Sequence, residues 1–182
     1  MAEAPALAKD PGPAVLVEPM TEADWLAVRA IYGEGIATGN ATFETVTPPW
    51  ERWDAAHRKE CRLVARDRLQ VIGWAALSPV STREVYAGVA EVSVYVAAAA
   101  RGRKVGSRLL EGLVQASENA GVWTLQAGIF SENTASVRLH ESQGCRVLGG
   151  PRARTVTIQT SINRCSGAWT VRSEEEDSCF QG

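Results

Sequence analysis

The chain has 182 residues, 45% of them hydrophobic, which is enough for one domain with a full core. Its net charge of -2, with both signs interspersed, argues against binding nucleic acid through a basic face. No basic start leads into an apolar stretch, and no apolar run could span a bilayer, so a cytoplasmic protein without a membrane segment is expected.

Residues 1–13 are rich in Ala and Pro without periodicity and are expected to be a flexible tail. Ala14 to Glu18 predicts a first strand. Thr21 then offers an N-cap, with Glu22 and Asp24 where a helix start favours acids. Trp25, Val28, Ile31 or Tyr32, and Gly35 or Ile36 recur at helical spacing. Gly39, Asn40 and the Pro48-Pro49 pair forbid a long helix after it, and a short one is expected from Trp50 to about Lys59. Cys61 to Arg66 and Gln70 to Leu77 predict a hairpin turning at Asp67-Arg68, and Ser78 to Gly88 a loop. Val89 to Val96 is the most strand-like stretch, with Val92, Val94 and Val96 on one face and Glu91, Ser93 and Tyr95 on the other.

A loop from Ala97 to Gly106 leads into a helix at Ser107 to Ala120, whose apolar stripe is Leu109, Leu110, Leu113 and Val114, with Gly121 as its C′ residue. Trp123 to Phe130 predicts a strand. Ser131 to Thr134 opens a second helix ending at Gly144, and Cys145 to Leu148 resumes strand character. Thr155 to Ile162 alternates and could close the sheet, or the altered end could leave an edge of the core uncovered. Asn163 to Gly182, with the acidic run Glu174 to Asp177, predicts a tail, so the domain is expected to span residues 14–162 and the tail 163–182. This order describes one α/β domain with a mixed sheet. The four cysteines form no C-x-x-C pair and lie far in sequence from His57 and His140, so no metal site is expected and the thiols are read as reduced.

Between the strand and the helix lies Arg101-Gly102-Arg103-Lys104-Val105-Gly106. Glycines there let backbone N–H groups turn toward one point beside a positive helix end, and three cations add full charges, which together suit a pyrophosphate. A basic glycine-containing loop is more often a solvated turn, and the Walker pattern is missing. Its context narrows the choice. The strand Glu91 to Val96, this loop, its helix and Asn133-x-x-Ser136-x-x-x-His140 resemble the GNAT superfamily of N-acetyltransferases. Lys104 stands where that family's R/Q-x-x-G-x-G/A signature has its middle glycine, which either costs a backbone contact to the pyrophosphate or changes only local flexibility. Within the superfamily, Gly73 to Arg83, Val85-Tyr86, Ala90 to Val96, Ala41 to Thr45 and Val137 to Glu141 resemble the phosphinothricin and methionine-sulfoximine acetyltransferases.

That resemblance, covering about Val15 to Gly149, implies a mostly antiparallel sheet flanked by helices with a splayed central strand pair. It also implies acetyl transfer from acetyl-coenzyme A to the α-amino group of a small amino-acid-like acceptor, by a homodimer, in the manner of herbicide or antibiotic resistance. In this reading Glu91 is the base for the amine, directly or through a water, and partial burial would raise its pKa into a useful range. His140 would protonate the departing thiolate. Phe43, Ser81, Thr82, Arg83, Tyr86, Val92 and Ser93 would form the acceptor site, with Arg83 gripping a carboxylate bidentately. The cofactor would lie on Val94, Tyr95, Val96, on Arg101 to Ser107 (Arg101, Gly102, Arg103, Lys104, Val105, Gly106, Ser107), and on Asn133 and Ser136, with free backbone donors of the strand stabilising the developing oxyanion. The plainer alternatives are a solvated face for Glu91, a packing role for His140, a surface charge at Arg83, a core plug at Phe43 and a helix cap at Asn133. Two other functions stay open: acetylation of a different amine, such as an antibiotic or a protein N-terminus, and an inactive acyl-coenzyme-A-binding copy.

Overall fold

The computed structural model describes residues 15–148 and the backbone of residues 155–161. The tails expected at 1–13 and 163–182 lie outside the described residues, as do Cys165 and Cys179. In chain order the elements are β1 (Leu16–Pro19), α1 (Trp25–Ala37), α2 (Trp50–Ala56), β2 (Arg62–Asp67), β3 (Gln70–Pro79), β4 (Val89–Val96), α3 (Val105–Asn119), β5 (Thr124–Phe130), α4 (Thr134–Glu141), β6 (Arg146–Val147) and β7 (Thr155–Ser161). The strands form one sheet in the order β1-β2-β3-β4-β5-β7-β6. Every neighbouring pair is antiparallel except β4 and β5, whose parallel pairing requires the crossover that α3 supplies.

Both faces of the sheet are covered, which is why β2 and β3 are nearly continuous apolar runs. On one face the stripe of α3, with Leu109, Leu113 and Val114, packs on Leu63, Ile72, Ala75 and Leu77. Each fully buried leucine there contributes about 1.5–3 kcal/mol. On the other face α1 and α2 bring Trp25, Val28, Ile31 and Trp53 against Val64, Val71, Trp74 and Ala76. Arg62, itself buried, is tied to that layer by Asp54 Oδ1 at 2.5 Å and by the carbonyls of Asp54 and His57 at 2.6 Å.

Several boundaries differ from the sequence expectation for local reasons. The hairpin turns at Arg68-Leu69, one residue later than expected, with Arg68 at φ 56°. Helix α2 stops at Ala56 because His57 is already extended, and a 3-10 turn carries the chain to Cys61. Helix α3 starts two residues early, at Val105. The strand expected at Thr155 to Ile162 does close the sheet: β7 runs along the whole of β5, from Thr124↔Ser161 to Phe130↔Thr155, so the edge of β5 is covered.

Candidate active site

Strands β4 and β5 pair only at Val89↔Thr124, Ala90↔Leu125 and Glu91↔Gln126, and beyond that point they part. The split follows from what each strand must serve. The first half of β4 is held in the sheet by β5, while Val92–Val96 remains paired to β3 alone. The Ala97 N–H donates to the Ile72 carbonyl at 2.9 Å, in register with the β3–β4 ladder. Antiparallel alternation therefore directs the N–H and C=O groups of Glu91, Ser93 and Tyr95 to β3, and those of Val92, Val94 and Val96 into the gap. A backbone edge inside a sheet thus faces a cleft of about 890 Å³.

The cleft is lined by Glu91 to Val96 on one side, Ala127 to Phe130 on the other, the start of α3 and the start of α4. Gly102 and Lys104 both adopt left-handed backbone, Lys104 at φ 60° and ψ 18° as the N-cap of α3. The family's glycine at this position thus has a physical reason: a lysine takes up the same turn at a cost of about 1–2 kcal/mol. The first-turn N–H groups of α3 have no partner within the helix, and Lys104, Val105, Gly106 and Ser107 at its start line the cleft together with Arg101 and Gly102 before it. Arg103 is not there. Its guanidinium is held by Asp67 on the β2–β3 hairpin at 2.6 Å, so of the three loop cations only Arg101 and Lys104 reach the cleft.

The acceptor-side residues divide in two. Phe43, Val92 and Ser93 line the cleft, and the Phe43 ring meets Phe130 edge-on at 4.5 Å between centroids. Ser81, Thr82, Arg83 and Tyr86 do not line it. They lie on the exposed β3–β4 connection, where the Arg83 guanidinium sits 5.5 Å from the centre of the Tyr86 ring. Glu91 lines the cleft but is exposed rather than partly buried.

His140 is buried at 4% exposure on the inward side of α4. Its Nδ1 lies 2.8 Å from the Ser136 carbonyl, which can only accept, so Nδ1 carries the proton and Nε2 the lone pair. Nε2 is buried without a hydrogen-bond partner, and burial holds the ring below its ordinary pKa. In this tautomer the free lone pair of His140 is an acceptor, buried behind the cleft wall to which the residue contributes. Asn133 caps α4, its Oδ1 accepting from the Ser136 N–H at 3.2 Å, while its Nδ2 donates to the Asn40 carbonyl at 3.2 Å. Ser136 lines the cleft as well.

Of the segment after α1, only Phe43 was expected at the site. Asn40, Ala41, Thr42 and Tyr32 all line the cleft, and Glu34 Oε2 accepts from the Ala98 N–H at 2.7 Å, tying α1 to the approach to α3. Gly35 sits where a Cβ would come within 2.6 Å of the Tyr95 ring, so this position of α1 is left bare for an aromatic from β4. The visible signals were the Ala41 to Thr45 motif and Gly35 itself, one of two glycines inside α1. Among the described residues no cluster of three or more His, Cys, Asp or Glu side chains could hold a metal, and no helix is long and apolar enough to cross a membrane.

Comparison with known proteins agrees with this geometry. The model of the acetyltransferase (GNAT) family matches residues 25–145. A phosphinothricin N-acetyltransferase of Streptomyces coelicolor is 36% identical over 148 residues, covering 76% of this chain and 86% of that protein. An L-methionine sulfoximine/L-methionine sulfone acetyltransferase of Pseudomonas paraeruginosa is 32% identical over 133 residues, covering 70% and 77%. Among solved structures, a GNAT superfamily phosphinothricin acetyltransferase of Sinorhizobium meliloti in complex with AcCoA superposes with a TM-score of 0.72 at 24% identity, covering 92% of this chain and 99% of that one.

Proposed function

Since the chain belongs to the GNAT family of acetyltransferases, we propose that it moves the acetyl group of acetyl-coenzyme A to the α-amino group of a small amino-acid-like acceptor of the phosphinothricin or methionine sulfoximine type. The observation that carries this reading is the parting of β4 from β5 over the start of α3. It places free backbone donors, a helix N-terminus and two cations along one groove, which fits an extended thioester with a pyrophosphate at one end. Acetyl-coenzyme A supplies an activated acyl carbon and a good leaving group.

The residues of the chain have the remaining tasks. Glu91, open to the cleft, takes a proton from the acceptor's ammonium or amine, directly or through a water. The amine nitrogen then bonds to the acyl carbon as the carbon–sulfur bond breaks and the electron pair leaves with sulfur. An N–H of Val92, Val94 or Val96 donates to the carbonyl oxygen as charge develops there. The departing thiolate takes up the proton that Glu91 removed from the acceptor, relayed through water, while His140, its Nε2 buried, packs behind the cleft wall. Arg83, free to leave the Tyr86 ring, closes on the acceptor's carboxylate, with Ser81, Thr82 and Tyr86 beside it. Asn133 and Ser136 meet the cofactor at the start of α4. The same reading has the protein act in the cytoplasm as a homodimer that detoxifies such acceptors. Free Cys61 and Cys145 and the exposed apolar side chains Val85, Tyr86 and Trp123 are in keeping with that.

The test is release of free coenzyme A thiol from acetyl-coenzyme A with and without phosphinothricin or methionine sulfoximine, in wild type, Glu91→Gln and Arg83→Ala. Glu91→Gln should lower kcat about a hundredfold or more. Arg83→Ala should raise KM for the acceptor and leave acetyl-coenzyme A binding intact. A folded, cofactor-binding protein that releases no thiol with either acceptor would send the search to other amines.

A further inference from the structure

The turn between β4 and α3 is held in place by two carboxylates that stand outside it. Ala97 leaves β4 with its N–H on the Ile72 carbonyl, a 3-10 turn follows at Ala98–Ala100, and Ala100 is buried at 2% exposure. Gly102 and Lys104 then both take left-handed backbone, at φ 77° and 60°. That conformation suits a glycine, but for a lysine it is unfavourable and persists only where the surroundings over-determine it. Oε2 of Glu34, on α1, accepts the Ala98 N–H at 2.7 Å, at the start of the turn. Oδ2 of Asp67, the last residue of β2, accepts from the Arg103 guanidinium at 2.6 Å, one residue before the left-handed N-cap of α3. Arg101, Gly102 and Lys104 line the cleft, whereas Glu34 and Asp67 do not. We propose that Glu34 and Asp67 are positioning residues for the cofactor's phosphates. From behind the wall they clamp residues 98–104 in the form that turns Arg101, Lys104 and the free N–H groups of α3 toward the cleft. This inference rests on the acetyltransferase reading and adds to it two residues that touch neither substrate.

Charge alone would not put acids here. A carboxylate near an anion site opposes the anion, and Asp67 also takes Arg103 out of the set of cations that face the cleft. The two acids supply geometry instead. The bond at Ala98 satisfies an N–H at the start of the 3-10 turn and so fixes the direction in which the chain leaves β4. The pair at Arg103 fixes the residue between Gly102 and Lys104, where the backbone changes hand twice. Both are hydrogen bonds to carboxylates, roughly twice as strong as neutral ones. They reach the turn from two different elements. Glu34 comes from the helix that also brings Tyr32 and Gly35 to the cleft, and Asp67 from the hairpin of β2 and β3. A turn ordered before the cofactor arrives raises affinity, because binding no longer has to impose that order.

The experiment is calorimetric titration of coenzyme A into wild type, Glu34→Ala, Glu34→Gln and Asp67→Ala. Thermal melts check folding, and hydrogen exchange of residues 98–108 reads the turn itself. Anchoring and charge predict opposite signs. Each alanine variant removes a negative charge, and Asp67→Ala also frees Arg103, so charge alone would tighten coenzyme A binding. With the anchors lost, both variants should instead weaken it about three- to tenfold, the worth of one hydrogen bond, and exchange in residues 98–108 should quicken without ligand. Glu34→Gln keeps an accepting oxygen and should stay within about twofold of wild type, the scale of an exposed charge. KM for acetyl-coenzyme A should rise in the alanine variants while KM for the acceptor holds. Tighter or unchanged coenzyme A binding in either alanine variant would overturn the proposal. So would a loss in Glu34→Gln as large as in Glu34→Ala, or an equal rise of both KM values. The two readings fail separately. A wild type that binds coenzyme A and acetylates no amine sinks the acetyltransferase reading and leaves the calorimetric series to decide the anchors; one that binds no coenzyme A sinks both.

Discussion

The Asn133 side chain spans the mouth of the cleft to the Asn40 backbone, with Nδ2 3.2 Å from that carbonyl, while its Oδ1 caps α4 at the Ser136 N–H. One residue thus holds the α1–α2 connection and the start of α4 together, and Phe43 against Phe130 repeats the bridge beside it. The two bonds can be separated by substitution. Asn133→Ala should lose the cap, about 1 kcal/mol, and lower the melting temperature by about 2–4 °C. Asn133→Asp keeps a capping oxygen and removes the donor. It should retain the melting temperature but show faster amide exchange in residues 40–43, measured by hydrogen exchange and mass spectrometry.

Lys104 carries a left-handed backbone without the freedom of glycine. Lys104→Gly should remove about 1–2 kcal/mol of strain and return about 0.5–1 kcal/mol through the larger entropy of the unfolded chain. The expected result is a small gain in stability, read as a raised urea midpoint at unchanged m-value. A lowered midpoint would mean that the lysine side chain contributes more than its backbone costs.

Burial holds His140 below its ordinary pKa, and burial does the same to His57, with Arg62 adding to the effect. The unfolded chain therefore binds more protons than the folded one between their folded pKa values and about 6.5. Stability should be full above about pH 6.5 and fall as the pH drops below it. His140→Gln should flatten part of that slope in urea titrations at about pH 7.5 and about pH 5.5. Asp24 and Asp54, whose pKa values are lowered, add a separate loss below about pH 3.8. A His140→Gln slope equal to wild type would show that the imidazole titrates alike in the folded and unfolded chain.

At Gly35 a methyl group would stand 2.6 Å from the Tyr95 ring, and Trp74 behind that ring blocks its retreat. Gly35→Ala should cost about 1–3 kcal/mol by overpacking. It should also lower kcat/KM for the acceptor more than affinity for acetyl-coenzyme A, because Tyr95 moves while the start of α3 does not. Equal effects on both substrates in steady-state kinetics would show that the strain spreads through the sheet.

Much of this arrangement was legible in residue order. The valine alternation of β4, the leucine stripe of α3 and the Gly121 stop, left-handed at φ 73°, are local periodicities that tertiary packing had no cause to override. The glycine-containing basic loop, read from the sequence beside a helix start, lines one part of the cleft. Boundaries slipped where a backbone conformation decided them: Lys104 in a left-handed turn starts α3 early, and extended His57 ends α2 early.

The sequence by itself determined most of the elements and, through its ordered motifs, the family, because these rest on spacing along one segment. Which cations face the cleft was decided only in the tertiary structure. Asp67, 36 residues away, draws Arg103 off, and Arg83 lies beside the Tyr86 ring on an exposed loop outside the cleft lining. The protonation of His140 was decided there too, since the Ser136 carbonyl and burial select its tautomer. So was the edge-on contact of Tyr32 and Tyr95, which come from a helix and a strand. Charge pairing, burial and ring contacts depend on distances between segments, and no spacing within a segment encodes them.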